Sequence, residues 1–188
     1  MSIVKTSVAV VPADVPAEST RSRTVHMLNH VLAHTLDLGL QARRVHWNLR
    51  DPRFAVIREL LREFVAHVDT SADRVANRVV QLKGLAEGSL RVIEGRSILA
   101  PDRASERGFA TDSLRFLLIA LSSAAALTRH GIYEVSLQDD AATVEVLNEI
   151  SFGLDKWLWC LEVYLEAPDA SCGRLGSPQS AEEYSCST

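Results

Sequence analysis

The sequence is short of cysteine, lacks a long hydrophobic run and has no strong excess of charge of either sign. Its 188 residues include three cysteines, and 20 basic against 24 acidic side chains give a formal net charge of -4. An odd number of cysteines in a chain of this length is not a disulfide framework. The small negative charge excludes nucleic-acid binding driven by bulk electrostatics.

The longest uncharged, mostly apolar run extends from Phe116 to Thr128, which is shorter than the roughly 18–20 residues that span a bilayer. Near the N-terminus a short apolar stretch is interrupted by Pro12 and Pro16, and this pattern is not that of a secretory signal. We therefore expect no membrane association and a cytoplasmic location. A hydrophobic content of 47% is sufficient for one well-buried core.

Proline is also scarce, and all six prolines fall outside the stretches 17–51, 53–100 and 102–167. Since proline disrupts helix interiors, each stretch can hold long helices. Apolar residues recur at helical spacing in the first two stretches, and no segment alternates with period two, so we predict an all-α chain. The first helix places on one face Leu28, Val31, Leu32, Thr35, Leu38, Gly39 and Ala42. The second helix similarly aligns Ile57, Leu61, Phe64, Val68, Val75, Val79 and Leu82.

Two further helices are predicted at about 113–135 and 140–167, so the chain has four long helices. The connection between the second and third, GLAEGSLRVIEGRSILAPDRASERG, is too long for a simple up-down bundle. Such a crossover is what a ferritin-like four-helix bundle requires. We predict this bundle over 21–167, with flexible tails at 1–20 and 168–188 that are rich in small and polar residues.

His46 lies on a face of the first helix that also carries apolar residues, so we expect it to point inward or toward a partner. On the second helix, polar side chains cluster away from the apolar stripe: Arg58, Arg62, Asp69, Asp73 and Asn77. A solvated face explains the second-helix cluster taken alone, and a lone histidine of this kind is more often a satisfied core residue than a metal ligand.

Three segments, HWNLRDPRF, DRVANRVVQLKG and GLDKWLWCLEVYLE, resemble the Dps family, the DNA-protection miniferritins of bacteria. The family pattern is matched by His46, Trp47, Asn48, Phe54, Asp73 and Ala76-Asn77-Arg78, and the resemblance spans roughly residues 24–167. It implies a hollow shell of twelve subunits that stores ferric oxide. It also implies oxidation of Fe(II), preferably by peroxide, at sites shared across a two-fold subunit interface.

The resemblance further implies a ligand set that this chain only partly retains. His46 and Asp73 match, whereas Arg58, Arg62 and Asn77 replace a histidine, an acid and a glutamate. A guanidinium cannot deprotonate or coordinate a metal. At an effective dielectric near 20, a unit positive charge about 4 Å from a divalent ion opposes binding by roughly 8 kcal/mol. We therefore expect an impaired ferroxidase centre, iron bound weakly or only in the mineral core, and no organic cofactor.

Three arrangements of these side chains are open. Arg58 and Arg62 could form an intersubunit ion-pair cluster with the partner subunit's Asp73 and Asp69. They could instead pair only with Glu59 and water. In a third arrangement, His46, Asp69 and Asp73 hold one metal ion in a rebuilt site.

Other chemistry-bearing residues lie elsewhere in the chain. His26, His30 and His34 stand one helical turn apart, a spacing typical of a solvated or interface stripe and able to bind Zn, Ni or Cu. Acids at the start of the fourth helix are either pore-lining residues or an acidic helix N-terminus: Asp139, Asp140, Glu145 and Glu149. Cys160 is predicted to be a small core residue, whereas Cys172 and Cys186 in the polar tail could be reactive.

The N-terminal tail predicts weak or absent DNA binding, because few cations are available to neutralise phosphates: Lys5, Arg21 and Arg23. Our first hypothesis is an iron-storing, Dps-like shell that protects against oxidative stress, with an impaired centre and possible co-assembly with an active paralogue. The alternatives are a DNA-associating or scaffold shell without metal chemistry, and an active ferroxidase with a rebuilt site.

Overall fold

The computed structural model describes residues 18–100 and 109–166, and these ranges contain five α-helices and no β-strand. In chain order the helices are α1 (Glu18–Asn48), a 3-10 turn (Pro52–Phe54), α2 (Ala55–Gln81), α3 (Leu90–Arg96), α4 (Phe109–Ser136) and α5 (Ala141–Glu166). The predicted all-α class is confirmed. α1 takes in three residues that were assigned to the N-terminal tail. Lys5, Cys172 and Cys186 lie outside the described residues.

The four long helices form a bundle in which α1 packs against α2 and α4, and α5 packs against the same two helices. Among the described residues, the backbones of α2 and α4 do not approach each other closely, so the two helices lie diagonally opposite. The chain therefore crosses the bundle between them, as the length of the connection predicted. Half-buried Cys160 packs against the common core.

Helical spacing of apolar residues explains why α1 and α2 form. Every position predicted for their apolar faces is buried, including Leu38 on α1 and Phe64 on α2. Complete burial of a large aliphatic or aromatic side chain contributes roughly 1.5–3 kcal/mol to stability. These two faces therefore supply much of the energy that closes the bundle.

α4 is apolar and long enough that Ala110–Ser136 would pass a test for a membrane span by length and composition alone. In the fold its leucines at positions 114, 117 and 121 belong to the shared core with the other long helices. α4 thus contributes to the core that the long helices share.

α2 ends in a Schellman motif. The Gly84 N–H donates to the Val79 carbonyl (2.9 Å), and the Lys83 N–H donates to the Val80 carbonyl (2.8 Å). This arrangement puts Lys83 at a φ of 60°, in the left-handed region where glycine is preferred.

We expect Lys83→Gly to raise the free energy of unfolding by up to about 1 kcal/mol, because glycine has no Cβ to strain this conformation. Chemical denaturation of the two proteins at equal concentration measures the difference. Lys83→Ala serves as the control, since it removes the charge but keeps the Cβ. An equal gain from alanine would contradict the explanation.

The crossover is held against α1 by polar side chains. Asn29 Nδ2 donates to the Leu85 carbonyl (2.9 Å), and the Glu87 N–H donates to Asn29 Oδ1 (3.0 Å). His34 accepts from the Ile98 N–H through Nε2 (3.2 Å) and donates from Nδ1 to the His30 carbonyl (2.7 Å).

His34 is buried, so the solvated alternative of the predicted histidine stripe is wrong for this residue. Helical periodicity describes the faces of α1 alone. It did not anticipate that the crossover would cover that side of α1.

Candidate functional site

The turn between α1 and α2 fixes the residues of the family motif. Asp51 caps the 3-10 turn by accepting from the Arg53 N–H (2.9 Å), and its carboxylate also pairs with the Arg53 guanidinium. Phe54 then enters the core. The short connection brings the last turn of α1 against the first turn of α2, so that His46 reaches across to the second helix.

His46 is half-buried, and its Nδ1 lies 2.9 Å from the backbone carbonyl oxygen of Arg58. Because a carbonyl can only accept, Nδ1 carries the proton and donates it. In the neutral ring Nε2 then has a free electron pair. Metal-binding histidines are commonly oriented by this kind of hydrogen bond. The imidazole is thus held in a tautomer that can ligate a metal.

The side chains at the two substituted positions on this part of α2 are exposed. Arg62 forms an ion pair with Glu59 one turn earlier, and the hydrogen bond from Arg62 is the main reason that the pKa of the Glu59 carboxyl is lowered. No carboxylate among the described residues pairs with the guanidinium of Arg58. Within one chain, Arg62 adopts the predicted local pairing and Arg58 does not.

The acids further along α2 have different surroundings. Asp69 pairs with Arg43 of α1, whereas Asp73 and Asn77 are exposed. Among residues 18–100 and 109–166, no group of three or more His, Cys, Asp or Glu side chains is arranged to hold a metal ion. The structure therefore gives Asp69 a partner other than the metal suggested for it. His46 and Asp73 are the family-matching donors that one chain presents.

The acids before and along α5 also separate into two environments. Asp140 is buried and caps the helix by accepting from the Thr143 N–H (3.0 Å), and it pairs with the Arg78 guanidinium (2.8 Å). Arg78 also donates to the Thr143 hydroxyl (2.8 Å). An open groove of about 490 Å³ is lined by Asp140 together with Asp139, Glu145 and Glu149. The structure thus gives Asp140 a structural role, while the other three acids of the groove are exposed.

Not all of the groove's negative charge is available to a cation. Glu149 forms an ion pair with Arg74 of α2. Asp139 and Glu145 are exposed. Arg21 and Arg23, which were predicted as cations for DNA contact, lie at the start of α1.

His67 of α2 is a half-buried side chain that sequence reasoning did not single out. Its Nε2 atom is shielded from solvent and has no hydrogen-bond partner among the described residues. The ring packs against the backbone of Gly153, where a Cβ would overlap it, and lies 6.3 Å from the Trp157 ring centroid. Desolvation lowers the pKa of His67, and the nearby charges of Lys156 and Arg74 lower it further.

Acid should destabilise the protein partly through His67. The unfolded imidazole titrates near 6.5, whereas the folded one has a lower pKa, so the unfolded state takes up the proton first as the pH falls. The stability present above about pH 6.5 is then lost as the pH drops through the folded pKa. Half-buried His30, whose pKa is lowered mainly by desolvation, acts in the same direction.

The check compares unfolding midpoints of the native protein and His67→Gln at about pH 7.5 and pH 5.5. We expect the variant to lose less stability between the two conditions. His130→Gln is the matched control because His130 is an exposed histidine on α4. If His67→Gln retained the full pH dependence, the assignment would be wrong.

Two of these features left some signal in the sequence. Arg78 belongs to the tripeptide Ala76-Asn77-Arg78 of the family pattern, and Asp140 precedes an apolar helix with Thr143 three residues later, which is a helix-capping spacing. Neither signal reveals that Arg78 and Asp140 meet. Nothing local marks His67, because its burial depends on Gly153 of a distant helix.

Comparisons with known proteins agree with this geometry. Residues 25–169 match the ferritin-like domain. The chain is 31% identical over 159 residues to the DNA protection during starvation protein of Agrobacterium fabrum, covering 81% of this chain and 93% of that protein. It is 27% identical to the protein of the same description from Brevibacillus brevis, covering 74% and 93%. The structure of a point mutant of Mycobacterium smegmatis Dps1 superposes with a TM-score of 0.73 at 26% identity, over 80% of this chain and 99% of that one.

Proposed function

The chain belongs to the Dps family of ferritin-like proteins, and from that membership we propose that it is a miniferritin subunit that stores iron and protects DNA from oxidative damage. We further propose that its own ferroxidase centre is impaired. The observation that carries this second proposal is the pair of exposed guanidiniums, Arg58 and Arg62, on the helix that faces the oriented imidazole of His46. Iron needs oxygen and imidazole donors at these positions.

The protein acts as a cytoplasmic homo-oligomer, with twelve subunits in the shell. The exposed surface supports assembly. A single subunit leaves several large apolar side chains in contact with water, whereas soluble monomers usually cover such side chains. They include Trp47, Val56, Leu85, Phe152 and Trp159.

At the two-fold subunit interface, the contacts within one chain favour a smaller ion-pair cluster than the sequence suggested. Arg62 is engaged by Glu59 and Asp69 by Arg43. Arg58 and Asp73 are both exposed, and neither has an ion-pair partner among the described residues. We therefore expect Arg58 of one subunit to pair with the partner subunit's Asp73, where the charges of a metal centre would otherwise meet.

A ferroxidase site shared by two subunits takes one half of its ligands from each, and the two halves that this chain offers are not equally impaired. This difference supports co-assembly with an active paralogue. The half built on His46 carries both arginines, each of which repels a cation. The other half keeps Asp73 and replaces its second acid by the neutral Asn77. A paralogue that supplies a complete histidine-bearing half could therefore use this chain's Asp73, whereas the reciprocal site would stay blocked.

Stoichiometric titration with Fe(II) and peroxide tests the proposed impairment. We expect the native shell to oxidise iron without a saturable early phase, and we expect His46→Ala to oxidise it at the same rate. A saturable phase that His46→Ala abolishes would instead support an active, rebuilt centre. Mineral formation by the assembled shell provides the separate readout for iron storage.

Iron entry and DNA contact depend on charges elsewhere in the subunit. Asp139 and Glu145 supply the exposed acids of the α5 groove, and they could attract iron into a pore. DNA contact would rely on Lys5, Arg21 and Arg23, and it should be weak at physiological salt because so few phosphates are neutralised. Retardation of DNA that persists at physiological salt would favour the DNA-associating alternative.

A further inference from the structure

We propose that His26 and His30 of α1 form a two-histidine chelate for a borderline divalent transition-metal ion such as Cu²⁺, Zn²⁺ or Ni²⁺. The two residues stand one turn apart inside a continuous helix, so the backbone fixes their spacing. Their ring centroids are 4.7 Å apart and the ring planes are inclined at 65°. Rotation of the two side chains from this edge-to-face contact can bring one nitrogen of each ring to a shared ion, because residues one turn apart lie on the same helix face.

The ring nitrogens of this pair are free to act as ligands. No hydrogen bond joins either imidazole to a described residue, His26 is exposed and His30 is half-buried. His34, the third histidine at this spacing, already uses both ring nitrogens to hold the crossover. The site is therefore a pair, with His34 as a structural neighbour.

The surroundings of His30 favour a neutral, ligating ring. Desolvation, followed by His26, Arg96 and His34, lowers the pKa of His30, and a lowered pKa favours the unprotonated form. Arg96 is paired with Glu87, which offsets its repulsion of a bound cation. A metal ion competes here with few protons.

Open space lies beside His26, although His30 is not among the residues that line it. A groove of about 520 Å³ separates the start of α1 from the end of α4, and its lining includes His26, Arg23 and Glu134. The last two have opposite charges, so they cancel rather than repel the ion. Water can fill the open coordination positions. With two protein ligands, the ion should exchange readily, which suits sequestration better than structural support.

Calorimetric titration of the chelator-treated full chain with Cu²⁺, Zn²⁺ and Mn²⁺ tests the proposal. Imidazole ligands should bind Cu²⁺ most tightly and Mn²⁺ least. We expect His26→Gln and His30→Gln each to weaken the Zn²⁺ site by about tenfold or more, since each removes one of two ligands. Both residues are at least partly exposed, so the variants should fold, and thermal unfolding without metal checks this.

His130→Gln is the matched control, because it removes an exposed histidine of α4 that has no histidine one turn away. Unchanged Zn²⁺ affinity in both His26→Gln and His30→Gln would overturn the proposal, as would an equal loss in His130→Gln. The chelate of His26 and His30 would form whether or not iron is oxidised at the two-fold subunit interface. Its failure would therefore leave the proposed iron chemistry untouched, and the reverse also holds.

Discussion

The triple variant Arg58→His, Arg62→Asp, Asn77→Glu should acquire a saturable phase of Fe(II) oxidation by peroxide that the native protein lacks. It replaces two positive charges by an imidazole and a carboxylate next to the oriented His46. Even a quarter of the roughly 8 kcal/mol repulsion from one guanidinium, about 2 kcal/mol, corresponds to roughly thirtyfold in iron binding. We therefore expect the initial rate of Fe(II) oxidation to exceed that of the native protein by about that factor or more.

Two controls make this repair specific. Arg58→Lys, Arg62→Lys keeps both positive charges, and it should remain as slow as the native protein. Adding His46→Ala to the triple variant should remove the new phase, because the free Nε2 electron pair is lost. If the repaired shell assembled and still showed no early phase, the arginines would not be the cause of the impairment.

Asp140→Ala should lower the free energy of unfolding by about 3–5 kcal/mol, because it leaves the Arg78 guanidinium in a mostly buried position without its counter-ion. The carboxylate side chain is 5% exposed and the guanidinium side chain 17%, so water replaces the lost interaction poorly. Loss of the cap on Thr143 adds to the effect. In a chain of this size the midpoint of thermal unfolding should fall by roughly 10 °C.

The comparison must hold subunit concentration constant, because assembly adds to apparent stability. Glu145→Gln removes an exposed acid from the same end of α5, and it should change stability by less than about 0.5 kcal/mol. The double variant Arg78→Met, Asp140→Asn removes both charges and should recover much of the loss. An Asp140→Ala protein as stable as Glu145→Gln would exclude a structural role for this ion pair.

Sequence periodicity predicted well the elements in which burial follows from the spacing of residues within one helix. The apolar faces of α1 and α2 are of this kind, and the length of the crossover was sufficient to indicate its path. α3 escaped prediction because it has only seven residues and contains Gly95, too little for a periodic signal. The burial of His34 and the role of Asp140 depend on partners 62 to 64 residues away.

The candidate site shows the same division between local and distant information. Family resemblance predicts the ligand positions, and the chemistry of arginine predicts that metal binding is impaired there. The pairing of Asp69 with Arg43 joins two helices, and no spacing within α2 alone could reveal it. The proposed encounter of Arg58 with the partner's Asp73 lies between two copies of the chain.

The hydrogen bond that orients His46 ends on the main chain of residue 58, and every amino acid offers the same carbonyl oxygen there. The side chain at that position can therefore change from a metal ligand to a cation while the imidazole of His46 keeps its orientation. A different side chain at this position can alter the chemistry of the site without altering the fold. Substitutions at ligand positions can therefore silence a subunit while preserving the scaffold on which activity could be rebuilt.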